Sequence, residues 1–200
     1  GISINGTINQ PGDKDNCWTV EVAFPWESFN EISELKFPPK DADQIRINFS
    51  RVEWKTEVVD GKTKKQINPS TNKPYPEDNW VWSPQGIVNM HYPEMWGYLQ
   101  FSNETAGGKK VSFIEKKEEA AKWFLRNIYY AERIYFQKNG TFTNNINALG
   151  IELKPVKGYA ALPKIECTTN MFEASLLSED GSQKITINNT GLTSISSLKK

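Results

Sequence analysis

Apolar and polar residues alternate along the first hundred positions of the chain, whereas in the second hundred the apolar residues recur at steps of three and four. Residues 2 to 8, Ile2-Ser-Ile-Asn-Gly-Thr-Ile8, have the period of a half-buried strand, and Asn9-Gln-Pro-Gly-Asp13 reads as a turn. Trp18, Val20, Val22 and Phe24 share one face of a second strand, which Pro25 ends because it has no N–H to donate. Trp26 to Ile32 predict a short helix ahead of the Phe37-Pro38-Pro39 breaker. Ile45, Ile47 and Phe49 line one side of a third strand, with Arg46, Asn48 and Ser50 on the other, and this strand is expected to continue to Trp54. Residues 55 to 79 are polar and hold Asp60-Gly61, Asn68-Pro69 and Pro74-Tyr75-Pro76, so they read as a long loop with a small hairpin. Trp80-Val81-Trp82 and Met95 to Phe101 predict two more strands. The first half is expected to be all-β.

Past a Gly-containing linker over Asn103 to Lys110, Ala121, Phe124, Ile128, Ala131 and Tyr135 form the stripe of an amphipathic helix. Ser112-Phe-Ile-Glu115 fits a capping box, Glu118 and Glu119 suit the positive end of the helix dipole, and Asn139-Gly140 fits a stop. The span corresponds to about seven turns. Phe172, Ala174 and Leu176 then alternate, as do Ile185 and Ile187, around the turn sequence Glu179-Asp-Gly-Ser182. A helix packed on a small antiparallel sheet follows, and the chain divides into regions 1–106 and 107–200.

Charge narrows the function. Over 200 residues, 24 Lys and Arg balance 24 Asp and Glu, which leaves no basic excess for a phosphate backbone and argues against nucleic acid. No apolar run approaches the ~20 residues of a membrane span, and no leader pattern opens the chain. The first residue is Gly, which points to a processed or fragmentary start. Cys17 and Cys167 stand far apart with no second Cys or His near either, which removes Cys-rich zinc and CxxC chemistry and leaves one long-range disulfide or two thiols.

His91 is the chain's one histidine, so any Ser-His-Asp or Cys-His relay would have to use it, and no nucleophile elbow or phosphate loop accompanies it. No catalytic residue is assigned. Glycoside hydrolysis needs two opposed carboxylates; Glu21, Glu27, Glu53, Glu77, Asp78 and Glu94 are available, and the sequence pairs none of them. Asp13, Asp15 and Asn16 offer oxygens of the kind calcium takes, but they lack the spacing of a calcium loop and read first as a turn. No metal ligand or other cofactor is assigned.

Six of the seven Trp precede residue 100. A sugar ring stacks its C–H face on an aromatic plane while its hydroxyls meet amides, carboxylates and Arg at the rim. Trp54, Trp80 and Trp96 with Arg51, Glu53, Asn89 and His91 are therefore the candidate carbohydrate-binding residues, and Trp18 and Trp82 are expected in the core.

Gly6-Thr-Ile-Asn9, Trp18-Thr-Val-Glu-Val-Ala-Phe-Pro-Trp26, Arg46-Ile-Asn-Phe-Ser-Arg-Val-Glu-Trp54 and Trp82-Ser-Pro-Gln-Gly-Ile-Val-Asn-Met-His-Tyr-Pro-Glu-Met-Trp-Gly97 together resemble the carbohydrate-binding module family 9-like proteins of polysaccharide-degrading bacteria. The resemblance covers roughly residues 1 to 102 and only the second half of that domain. It implies a mainly β chain with a β-sandwich, incomplete here, and secretion to the periplasm, cell surface or medium. It also implies capture of a poly- or oligosaccharide, with a glycosidase as partner. Founding modules clamp sugar between two Trp; Met90 stands where the second is expected. The alternative is a glycoside hydrolase, or an accessory subunit of one, acting on O-glycosyl bonds through a Glu/Asp pair. A half-sandwich would expose its apolar face unless upstream residues, a second copy or another strand arrangement covered it. Trp123 to Phe142, leading to Ala148-Leu-Gly150 and a terminal hairpin, resembles the soluble part of type IV pilins and pseudopilins without their hydrophobic leading segment. That half is expected to be an appended module, or a structural module that docks a partner.

Overall fold

The computed structural model describes residues 1–31, 35–87 and 89–198, and the chain divides into two units, Gly1–Phe113 and Ile114–Lys200. It is mostly β, with antiparallel pairing throughout and one α-helix among the described residues.

In the first unit, β1 (Ile2–Asn5) pairs with β2 (Cys17–Val20) so that Ile2 lies opposite Val20 and Ile4 opposite Trp18. The strand expected through Phe24 ends at Val20, and a 3-10 turn over Trp26–Phe29 replaces the expected helix, whose Ile32 lies outside the described residues. Trp26 and Phe29 both stack on Phe37, at 5.6 and 4.9 Å between ring centroids, and Phe101 meets Phe37 edge-on. The third strand breaks at Asn48-Phe49 into β3 (Gln44–Ile47) and β4 (Ser50–Glu53). These take different partners. The expected loop contains two hairpins, β5 (Thr56–Val59) with β6 (Lys62–Lys65) and β7 (Ile67–Asn68) with β8 (Lys73–Pro74), and the start of β9 (Asp78–Val81). Asp60 and Gly61 both take positive φ, 53° and 71°, the geometry of a two-residue hairpin turn. β9 pairs with β4, and β10 (Gly97–Gln100) pairs with β3.

Among the described residues every sheet of this unit has two strands, and none closes into a barrel. All the buried hydrophobic residues of the described chain belong to the second unit. Ile2, Ile4, Trp18 and Val20, one face of β1 and β2, are 76, 38, 54 and 49% exposed. Trp18 and Trp82 are thus not core residues, because no second layer of the described residues covers them.

The second unit has a conventional core. The helix α1 (Glu118–Asn139) lays Ala121, Phe124, Leu125 and Ile128 on a four-stranded meander, β11 (Lys164–Cys167), β12 (Phe172–Leu177), β13 (Gln183–Asn188) and β14 (Thr193–Ser197). Phe172, Ala174, Leu176, Ile185 and Ile187 face the helix stripe. The five fully buried aliphatics Leu125, Ile128, Leu176, Ile185 and Ile187 contribute on the order of 10 kcal/mol of apolar burial before chain entropy is counted. Gly140 ends the helix in the left-handed conformation (φ 71°), its N–H donating to Phe136 O at 2.8 Å. The start differs from expectation: Lys117 holds the N-cap position without a side-chain cap, and Ser112 is not the cap. Ser112 O instead accepts from Gln100 Nε2 at 3.0 Å and Phe113 packs on Tyr98, so residues 107 to 113 stay with the first unit. Glu118 and Glu119 in the first turn offset the helix dipole in place of the cap.

Candidate functional site

Strand register decides which candidate residues meet. Alternation puts Arg51 and Glu53 on one side of β4, and pairing sets Arg51 opposite Trp80 and Glu53 opposite Asp78 on β9. Arg51, Glu53, Asp78 and Trp80 therefore share one exposed face. Trp80 is 60% exposed and Arg51 lies over its ring, with Cζ 6.0 Å from the centroid. Arg51 Nη2 also donates to Glu53 Oε2 at 2.8 Å, which holds the guanidinium beside the indole. The result is an aromatic plane rimmed by a cation and two carboxylates, the polar and apolar pairing that a sugar ring requires.

Trp54 follows β4 directly and is half-buried, with Lys65 Nζ 3.0 Å from its ring centroid. Asn89, His91 and Trp96 form a separate group. Asn89 Oδ1 accepts from His91 N at 2.9 Å, and Trp96 Nε1 donates to Met90 O at 2.8 Å, so Asn89 and Trp96 close the turn that ends in the 3-10 segment Pro93–Met95. His91 is exposed, and among the described residues its ring makes no hydrogen bond. Among the described residues no hydrogen bond, ion pair or ring contact joins these three to Arg51, Glu53 or Trp80. Beneath them, Arg46 Nη1 donates to Trp96 O at 2.8 Å and its guanidinium covers Tyr98, fixing the loop onto β3 and β10.

Trp82 holds its plane by donating Nε1 to Ile47 O at 3.0 Å and meeting Phe49 edge-on at 5.7 Å. A Cβ on Gly97 would stand 2.8 Å from the Trp82 ring, so that close approach requires glycine. By sequence Asp78 is an unpaired carboxylate and Tyr75 part of a turn; the ladder sets Asp78 opposite Glu53, and the Lys55 ammonium lies 5.0 Å from the Tyr75 ring centroid. Asp13 and Asp15 serve Thr7: Asp15 Oδ1 accepts its N–H and Asp13 Oδ2 its hydroxyl, both at 2.7 Å. Among the described residues no group of three or more His, Cys, Asp or Glu is arranged to hold a metal. A polar cleft of about 530 Å3 lined by Asp41, Asn103, Glu104, Lys109 and Lys110 contains no aromatic residue and none of the candidates. Among the described residues no helix is long and apolar enough to cross a membrane.

In the second unit, Glu132 is fully buried; its Oε2 accepts Thr143 N at 3.2 Å and its Oε1 has no partner. Burial pushes its pKa up, and the Thr143 hydrogen bond opposes that only in part. Burial, with Glu132 nearby, also raises the Cys167 thiol. Both cysteines are free. Comparison with known protein families, curated proteins and solved structures finds no match.

Proposed function

We propose that this chain is a non-catalytic carbohydrate-binding protein, part of a secreted bacterial polysaccharide-degradation system, that takes a poly- or oligosaccharide on the outer face of β4 and β9. The observation that carries the reading is an exposed Trp80 flanked in register by Arg51, Glu53 and Asp78. Core aromatics have no reason to stand in solvent beside charged neighbours. The resemblance to family 9 modules supports the substrate class and the setting, and Trp54 adds a second plane. Calorimetric titration of the intact protein with xylan, glucan and pectin oligosaccharides tests it: saturable binding is expected, weakened by Trp80→Ala. No binding to any of them would end the proposal.

The same reading makes the first unit one layer of a β-sandwich. Its support is the apolar face of β1 and β2, which together with Val22, Phe24 and Trp26 leaves on the order of 600 Å2 of apolar surface in solvent, as large as the biggest patch on an ordinary monomer. A two-stranded ladder is marginal alone. Hydrogen exchange distinguishes the cases: amides of β1 and β2 protected as strongly as those of β12 and β13, in the chain by itself, would contradict an uncovered layer.

One observation favours the hydrolase alternative. Glu53 and Asp78 are directly opposed across the ladder, so two carboxyls stand side by side on one face, the residue types that glycoside hydrolysis uses. Both carboxylates are solvated and Glu53 is ion-paired, however, whereas a general acid needs burial to keep its proton near neutral pH. Turnover of a chromogenic glycoside, lost in Glu53→Gln and Asp78→Asn, would reverse this preference. The helix-on-sheet arrangement of the second unit is in keeping with a pilin-like accessory module.

A further inference from the structure

All three aromatic residues between Ser50 and Val81 carry a cation over the ring. Lys65 Nζ lies 3.0 Å from the Trp54 centroid, Lys55 Nζ 5.0 Å from that of Tyr75, and Arg51 Cζ 6.0 Å from that of Trp80. Backbone bonds hold these pairs in a fixed arrangement: Gln66 N donates to Lys55 O at 2.9 Å, Tyr75 N to Gln66 O at 3.1 Å, and β4 is laddered to β9. Local charge departs from that of the whole chain. Residues 54 to 75 hold five lysines, Lys55, Lys62, Lys64, Lys65 and Lys73, against Glu57 and Asp60, although the chain is balanced overall. Glu57 faces Lys64 in the ladder, yet among the described residues none of the five lysines forms an ion pair.

We infer that the ligand of this surface is an anionic glycan, bearing uronate carboxylates or sulfate esters, with its charged groups toward Lys55 and Lys65 and its hydroxyls toward Trp80. The inference rests on the carbohydrate reading above. A neutral sugar stacking on Trp54 must lift the Lys65 ammonium off the ring and leave it with water alone. An acidic sugar gives that ammonium a charge-assisted partner in the same movement by which its C–H face takes the indole. Glu53 and Asp78 would repel an anion placed beside Trp80, which fixes the direction of the chain across the surface.

The test titrates the intact protein with a neutral xylo-oligosaccharide, an oligogalacturonate, a sulfated oligosaccharide and a single-stranded oligonucleotide, at low salt and at ~0.5 M salt, where charge attraction is screened within a few ångströms. The expected result is that one acidic glycan binds about tenfold tighter than the neutral one at low salt, the effect of two or three exposed ion pairs, and that salt removes most of this preference. Which acidic glycan binds tighter identifies carboxylate or sulfate as the group. Lys55→Gln with Lys65→Gln is expected to collapse the acidic-to-neutral ratio, and Lys62→Gln with Lys64→Gln to reduce it. Equal affinity for neutral and acidic glycans overturns the inference but leaves carbohydrate binding intact, whereas no glycan binding at all overturns both. An oligonucleotide bound tighter than every glycan overturns it in favour of a general polyanion surface.

Discussion

Glu132→Gln isolates the one buried carboxylate of the second unit. Glu132 has no solvent exposure, one oxygen satisfied by Thr143 N and the other without a partner. Glutamine keeps an oxygen for Thr143 and removes the charge, so the change exchanges an ionisable orphan for a neutral one. The pKa of Glu132 is raised in the folded state, so the folded chain binds its proton more tightly than the unfolded chain does. The carboxyl's contribution to stability is therefore complete below the unfolded value near 4.5 and declines as pH rises toward the folded value. The variant should match the parent within about 1 kcal/mol at acid pH, since neutral orphans differ by little more than one hydrogen bond. It should gain on the parent as pH rises, by at most ~1.4 kcal/mol for each pH unit, the limit for one proton. Urea unfolding followed by the helical signal of α1 at 222 nm, at several pH values from acid to neutral, measures the gap. A variant that fails to gain on the parent as pH rises would refute the reasoning. Glu132→Leu provides the control: it removes the same proton but leaves Thr143 N without its acceptor, so it should lie about 1 kcal/mol or more below Glu132→Gln at every pH.

Trp80→Ala should weaken glycan binding about three- to tenfold in calorimetry, the equivalent of one aromatic contact, while moving stability by no more than ~0.5 kcal/mol because the ring is already largely in solvent. Gly140→Ala should cost ~1 kcal/mol in the same urea assay, since alanine resists the left-handed conformation even where nothing crowds its Cβ. Alkylation followed by mass spectrometry should modify exposed Cys17 well before Cys167, whose partial burial and raised pKa keep it as thiol; equal rates would contradict the partial burial of Cys167.

The exposed apolar face of the first unit bears on all binding measurements. Ile2, Trp18 and Val20 alternate as strictly as Phe172, Ala174 and Leu176, yet only the second set is buried. A β-strand has two faces and a ladder of two strands can cover neither, so an apolar face finds a core only when another layer packs on it. Helix α1 does this for β12 and β13. No described element does it for β1 and β2, and apolar probes are expected to bind there.

Within the site, composition and pattern were enough to place Trp80, Arg51 and Glu53 on strands and to mark residues 55 to 79 as a segment with a hairpin. They do not separate Asn89, His91 and Trp96 from that group, because residue type marks which side chains suit a sugar and not which of them meet. The roles of Asn89 Oδ1 and Trp96 Nε1 in closing a turn follow from hydrogen bonds that no spacing rule encodes.

Local chemistry is legible in the sequence. Period-two alternation, the three-and-four stripe, Asp60-Gly61 and Asn139-Gly140 act through a residue's own backbone and its near neighbours, so strands, helix and turns could be assigned from them. Tertiary structure decided the rest. The break of one expected strand into β3 and β4, the pairing of β4 with β9, and the choice of a buried or an exposed fate for identical apolar patterns depend on partners tens of residues away. Pairing across such distances is set by the packing of whole layers, and one strand's sequence records only which face is apolar, not what will cover it.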